Sequence, residues 1–152
     1  SVSDEHAGLL HALETDQDQY LLGDPVSLSY IVTNVSGETV NVLAAYVGCP
    51  IWIRIYTPSE ELVWSDPIGC FDESGWVTLP SGESFSRTPV WDMTYGGSDD
   101  PMEETGLYRI TGSLATYDEY AHLVELHIEV IDPVAALPDE TSTWTTIKAI
   151  YK

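Results

Sequence analysis

The sequence predicts an all-β antiparallel sandwich with a short helical tail at the C-terminus, and three observations carry that expectation. Apolar and polar residues alternate through most of the chain. Gly, Pro, Asn and Asp separate the alternating runs at intervals of ~8–12 residues, the spacing of an all-β sandwich. Gly106 stands two residues ahead of Tyr108, which opens one of those runs. That is the sign of a tyrosine corner, whose phenol bonds back to the main chain at the crossover between two sheets. Trp91, Gly106 and Tyr108 are therefore the expected fold-defining residues of the sandwich.

In chain order, the first strand is expected at Gly8–Thr15. Val26–Asn34 follows, with Val26, Leu28, Tyr30 and Val32 on one face and Ser27, Ser29 and Thr33 on the other. Next come Thr39–Val47, Ile51–Thr57 and the short Leu62-Val63-Trp64. Trp76–Leu79 and Ser84–Val90 flank the turn Pro80-Ser81-Gly82. Leu107–Ala115 and His122–Ile131 close the sandwich. In the last strand Val124, Leu126, Ile128 and Val130 face inward, and Glu125, His127 and Glu129 face out.

Three segments follow: residues 1–7 as an N-terminal extension, 8–132 as the sandwich, and 133–152 as a linker with an amphipathic helix. Pro133 and Pro138 end the strand pattern. Thr141-Ser142-Thr143 offers helix caps ahead of Trp144, Ile147, Ile150 and Tyr151, whose spacing puts them on one helical face. Lys148 and Lys152 lie where the helix dipole favours cations. An isolated helix of this length is unstable in water, so Trp144, Ile147, Lys148, Ile150 and Tyr151 are expected to dock. Docking on the chain's own core and docking on a neighbouring subunit both stay open.

At 152 residues the chain can bury a core, and 43% hydrophobic and 11% aromatic content argues against disorder. Charge is the outlier: 25 acidic residues against 5 basic ones give −20. Such a surface repels nucleic acid and anionic membranes, which are excluded as partners. It suits cations, a salty habitat or a basic partner, and also serves plain solubility. No run approaches the ~18 apolar residues of a membrane span. The start at Ser1, without Met, fits either removal of a leader or numbering that begins at an internal position. Cys49 and Cys70 are the only cysteines; one structural disulfide in an oxidising compartment is expected, with two buried free thiols as the alternative. Asn34-Val35-Ser36 is a formal glycosylation sequon that also reads as a turn.

From about Leu9 to Ile131 the chain resembles the BsuPI family of proteinase inhibitors. The residues that carry the resemblance are Tyr20 with Gly23-Asp24-Pro25-Val26, then Val32-Thr33-Asn34, Leu62-Val63-Trp64 and Leu79-Pro80-Ser81-Gly82-Glu83. Val90-Trp91-Asp92 and Gly106-Leu107-Tyr108 complete the set. The resemblance implies an immunoglobulin-like sandwich that binds proteins and catalyses nothing. The shared residues are turn and core positions, so no inhibitory contact is carried over. The cysteine pair, the acidity and both terminal extensions depart from the family pattern.

Catalytic signatures such as G-x-S-x-G, H-E-x-x-H and the P-loop are absent from the sequence. His122 and His127 are five apart on a strand and should point to opposite faces, as should His6 and His11 if extended, so a histidine metal site is not expected. Asp99, Asp100 and Glu103, with Asp92 and Glu104 nearby, carry hard oxygen ligands and are the candidates for Ca²⁺. The five tryptophans are Trp52, Trp64, Trp76, Trp91 and Trp144. Trp64 and Trp91 are expected in packing, and exposed ones would suit carbohydrate.

The function expected is a secreted, non-enzymatic β-sandwich that binds protein, a structural subunit of an extracellular or cell-surface assembly built from copies of itself. The contact would be the Trp144 face, or strand addition by Ser1–Ala7. A BsuPI-type inhibitor using the loop Gly96–Glu104 against a protease, and a carbohydrate- or calcium-binding module, are the alternatives.

Overall fold

The computed structural model describes residues 1–68, 70 and 73–134. Its strands are β1 (Val2–His6), β2 (Leu9–Thr15), β3 (Gln19–Leu21), β4 (Val26–Asn34), β5 (Val40–Ala44) and β6 (Ile51–Tyr56). β7 (Leu62–Asp66), β8 (Gly75–Leu79), β9 (Ser84–Arg87), β10 (Val90–Trp91), β11 (Gly106–Leu114) and β12 (His122–Ile131) complete them. No helix occurs among the described residues. The predicted C-terminal helix, with Trp144, Ile147, Lys148, Ile150 and Tyr151, lies outside them.

One sheet runs β1-β2-β4, with β9 and β10 both pairing along the far side of β4. The other runs β3-β12-β11-β6-β7, and a ribbon of β5 and β8 stands beside them. All pairings are antiparallel except β3 on β12. Each long strand sends its even-numbered or odd-numbered residues into the shared core as the alternation requires. Val26, Leu28, Tyr30 and Val32 of β4 are buried, as are Val124, Leu126, Ile128 and Val130 of β12. Trp91 is fully buried, packs on Tyr108 with ring centroids 5.8 Å apart, and donates its indole N–H to the Thr94 carbonyl at 2.9 Å.

The tyrosine corner is present. Tyr108 donates its hydroxyl to the Glu104 carbonyl at 2.6 Å, and Gly106 between them has φ 126°, a conformation open to glycine. Burial, then Glu104 and Tyr95, push the Tyr108 phenol up to about 12, so it stays a donor across the physiological range. Cys49 and Cys70 form the expected disulfide.

Two expectations change. Ser1–Ala7, read as an extension available to another chain, instead supplies β1, whose five residues pair in register with β2 of the same chain. Ser84–Val90, read as one strand, is divided into β9 and β10 because Thr88-Pro89 interrupts the ladder.

Candidate functional site

β6 reads Ile-Trp-Ile-Arg-Ile-Tyr, so its three isoleucines enter the core while Trp52, Arg54 and Tyr56 face outward. Register sets their neighbours. Tyr56 lies opposite Arg109 of β11, Arg54 opposite Thr111, and Trp52 opposite Ser113. The Arg54 guanidinium stands 4.9 Å from the Trp52 ring centroid, and that of Arg109 stands 4.1 Å from Tyr56. Trp52 in turn packs against Tyr46 at 5.8 Å. The result is a ladder of stacked rings and guanidiniums across the outer face of the second sheet.

The disulfide steadies one end of this ladder. The Trp52 indole N–H donates to the carbonyl of Cys49 at 3.0 Å, and Cys49 is bonded to Cys70. At the other end Arg109 donates twice to Glu60, at 2.8 and 3.1 Å, and lies 3.6 Å from Glu125. The hydrogen bond to Glu60 is the largest cause of the rise in the Arg109 pKa. Arg54 differs: among the described residues it has no ion pair and no hydrogen bond. Among those residues its charge meets only the indole face, a contact that leaves the edge N–H groups able to receive a carboxylate.

Exposed leucines surround the ladder. Leu62 is paired with Tyr56, Leu107 is two residues along β11 from Arg109, and Leu123 is paired with Ser113; they are 50%, 57% and 52% exposed. Aromatic and arginine side chains with apolar neighbours form the composition that dominates binding energy at protein interfaces. Basic groups are scarce here: Arg54, Arg87 and Arg109 are the described ones, and Arg87 is tied to Asp66 and the Ile51 carbonyl.

A second constellation sits where the two sheets meet. His6 of β1 and His122 of β12 stack with ring centroids 4.5 Å apart, and His11 of β2 meets His122 edge-on at 4.7 Å. Asp4 accepts from or pairs with His122 Nε2 at 2.7 Å, and His6 Nε2 contacts the Glu119 carbonyl at 2.8 Å. His11 is fully buried; Nδ1 meets the Tyr30 hydroxyl at 2.8 Å, and Nε2 has no hydrogen-bond partner among the described residues. Burial, then His122 and His6, hold the His11 pKa down to about 4, against an upward pull from Asp4.

The remaining predicted residues are distributed. Asp99, Asp100 and Glu103 are exposed on a loop closed by Tyr95–Asp100 and Thr94–Pro101 backbone contacts. They are not brought together: among the described residues no three His, Cys, Asp or Glu side chains are grouped to hold a metal ion. Trp64 is half-buried against the core, and Trp76 is 67% exposed on β8 opposite Leu43. Asn34 is buried, its amide donating to the Glu38 and Leu79 carbonyls, which is the turn reading of the sequon.

No protein-family model matches the chain, and no curated protein matches its sequence, so the BsuPI resemblance rests on the motifs quoted above. Among solved structures, the CARDB domain of a Pyrococcus furiosus protein is similar at 16% identity and TM-score 0.45, covering 86% of this chain and 94% of that one. The sporulation control protein Spo0M of Bacillus subtilis gives 15% identity and TM-score 0.48, over 82% of this chain and 49% of that one. A β-glucosidase of Listeria innocua matches at 17% identity and TM-score 0.44, over 85% of this chain but 16% of the enzyme. Likenesses at this level assign neither family nor activity.

Proposed function

We propose that the chain is a secreted, non-enzymatic protein-binding sandwich, a structural subunit that meets copies of itself through the outer face of the second sheet. One observation carries the reading: Arg54 lies stacked on Trp52, with no carboxylate partner among the described residues, on an aromatic and leucine face. A chain of net charge −20 offers abundant carboxylates to such a group on any second copy. A guanidinium already stacked is partly desolvated and held in place, so it forms a charge-assisted pair at reduced entropic cost. The leucines and rings supply the apolar contact around it.

Sedimentation of the chain and of Trp52→Ala and Arg54→Glu variants tests this. Each variant is expected to weaken self-association by ~10–100-fold, the size of an interface hot-spot loss. Salt gives a second readout. Copies this acidic repel one another, so raising salt from ~0.05 to ~0.5 M should strengthen their association. Weakening by salt would instead show that the Arg54–carboxylate pair outweighs the repulsion between the acidic surfaces. A monomer under all conditions would end the self-assembly reading.

The inhibitor alternative has one observation in its favour. The loop 95–101 is closed by its own backbone, with Tyr95 donating to Asp100 at 3.0 Å and Ser98 to Tyr95 at 3.0 Å. A braced, exposed loop is what a protease cleft accepts. Absence of inhibition across a protease panel at micromolar chain removes that alternative.

A further inference from the structure

β1 is held to the rest of the molecule in an unusual way. It is an edge strand whose inward side carries Val2, Asp4 and His6, while Ser3 and Glu5 face out. Only Val2 adds an apolar side chain to the core, so the strand's attachment depends on its ladder with β2 and on the histidine contacts with β12. Its connection to β2 is the tight turn Ala7-Gly8, with φ 51° and 79°. Such turns favour Asn-Gly or Gly-Gly, and an alanine at positive φ is strained. Gly8 is required on a second count, because a Cβ there would lie 2.8 Å from Ser36 Cβ.

We propose that β1 is an exchangeable arm: protonation of His11 within the His6–His11–His122 stack drives it from β12, and it then pairs with β2 of a second copy. Acid opens the arm; on return to neutral pH every contact of the closed arm is remade in the exchanged dimer, while the Ala7 turn is released into an open connection. Short hinges under strain favour such exchange.

The charge balance around the stack sets the direction. The groups that face it are Asp4 from β1, the Tyr30 hydroxyl from β4 and the Glu119 carbonyl from the loop before β12. Glu5, Glu14 and Glu125 lie on outward faces of their strands. One carboxylate therefore stands against three imidazoles whose rings are 4.5 and 4.7 Å apart. His11 binds its proton less readily when closed, with its pKa lowered from 6.5 to about 4. An open arm that frees His11 gains that proton, so opening is favoured as pH falls from 6.5 toward 4. The gain is at most tenfold per pH unit for this one group. This proposal does not use the Arg54 face, so the two can fail separately.

The test uses the full chain with Ser3→Cys and Ala12→Cys, which replace directly paired outward residues. The protein is incubated concentrated at pH 5 or pH 7.5, returned to pH 7.5 and oxidised, then separated under non-reducing conditions. Covalent dimers after pH 5, with internal cross-links after pH 7.5, are the expected result. Internal cross-links under both conditions would overturn the proposal. Two further changes in the same background separate its parts. Ala7→Gly relaxes the turn and should reduce dimer yield. His11→Gln removes the one group whose proton the closed arm withholds and should flatten the pH dependence; an unchanged pH response would refute the latch.

Discussion

The two outward sheet faces share one backbone geometry and carry different chemistry. On the first sheet, β4 shows Ser27, Ser29, Ile31 and Thr33 outward, flanked by Leu10, Ala12 and Glu14 of β2 and by Ser84 and Ser86 of β9. Apart from Ile31, Leu10, Ala12 and Val90, the last 59% exposed opposite Ser27, this is a face of hydroxyls and carboxylate that water covers readily. On the second sheet the same positions hold Trp52, Arg54, Tyr56 and Arg109. Inward, both sheets present Val, Leu and Tyr, the second adding its isoleucines. The difference teaches that the core pattern settles which way strands face, while the outward half of the pattern is free to carry recognition.

The largest expected effect on this contrast comes from removing the disulfide. Replacing Cys49 and Cys70 by Ala opens a loop closed across 21 positions and should cost about 3 kcal/mol, measured by urea unfolding. Because Cys49 holds the Trp52 indole, Trp52 fluorescence should change as well, whereas the Ser/Thr face has no tie to that loop. Next in size is the loss at the binding face itself. Trp52→Ala and Arg54→Glu should cost association about 1.4–2.8 kcal/mol while leaving the fold in place.

Smaller again is Tyr108→Phe. It removes the bond to the Glu104 carbonyl and should lower stability by about 1 kcal/mol, without altering association at the outer face. The smallest effect is expected on the plain face. Ser29→Glu and Ser86→Glu should each shift stability by less than ~0.5 kcal/mol and leave sedimentation unchanged. A loss of association from either serine would break the contrast and move the interface to the first sheet.

Much of the fold was legible because the long strands bury one complete face. β4 and β12 were found at their observed bounds from alternation, and the corner from Gly106 and Tyr108. β1 and β3 were missed for a physical reason. An edge strand that buries only Val2, and a three-residue strand that buries only Tyr20, leave no period to read. The histidine cluster was missed for a different one. His6 and His11, five apart, would diverge on a continuous strand, but the chain reverses between them at Ala7-Gly8 and returns both to one side. The arginine ladder was half visible, since Trp52, Arg54 and Tyr56 share a period of two, but Arg109 reaches it only through pairing across the sheet. Residues 139–152, expected as a contact, lie outside the described structure.

Asn34 bears on how the protein can be made. Its Nδ2 supplies two hydrogens to two carbonyls in a side chain that is 1% exposed. An N-linked sugar takes one of those hydrogens and needs space outside the turn. In a host that glycosylates nascent chains, the Asn34-Val35-Ser36 acceptor and the closed turn are mutually exclusive fates. Each molecule that receives a glycan there is diverted from the native turn, and hosts lacking that machinery avoid the loss.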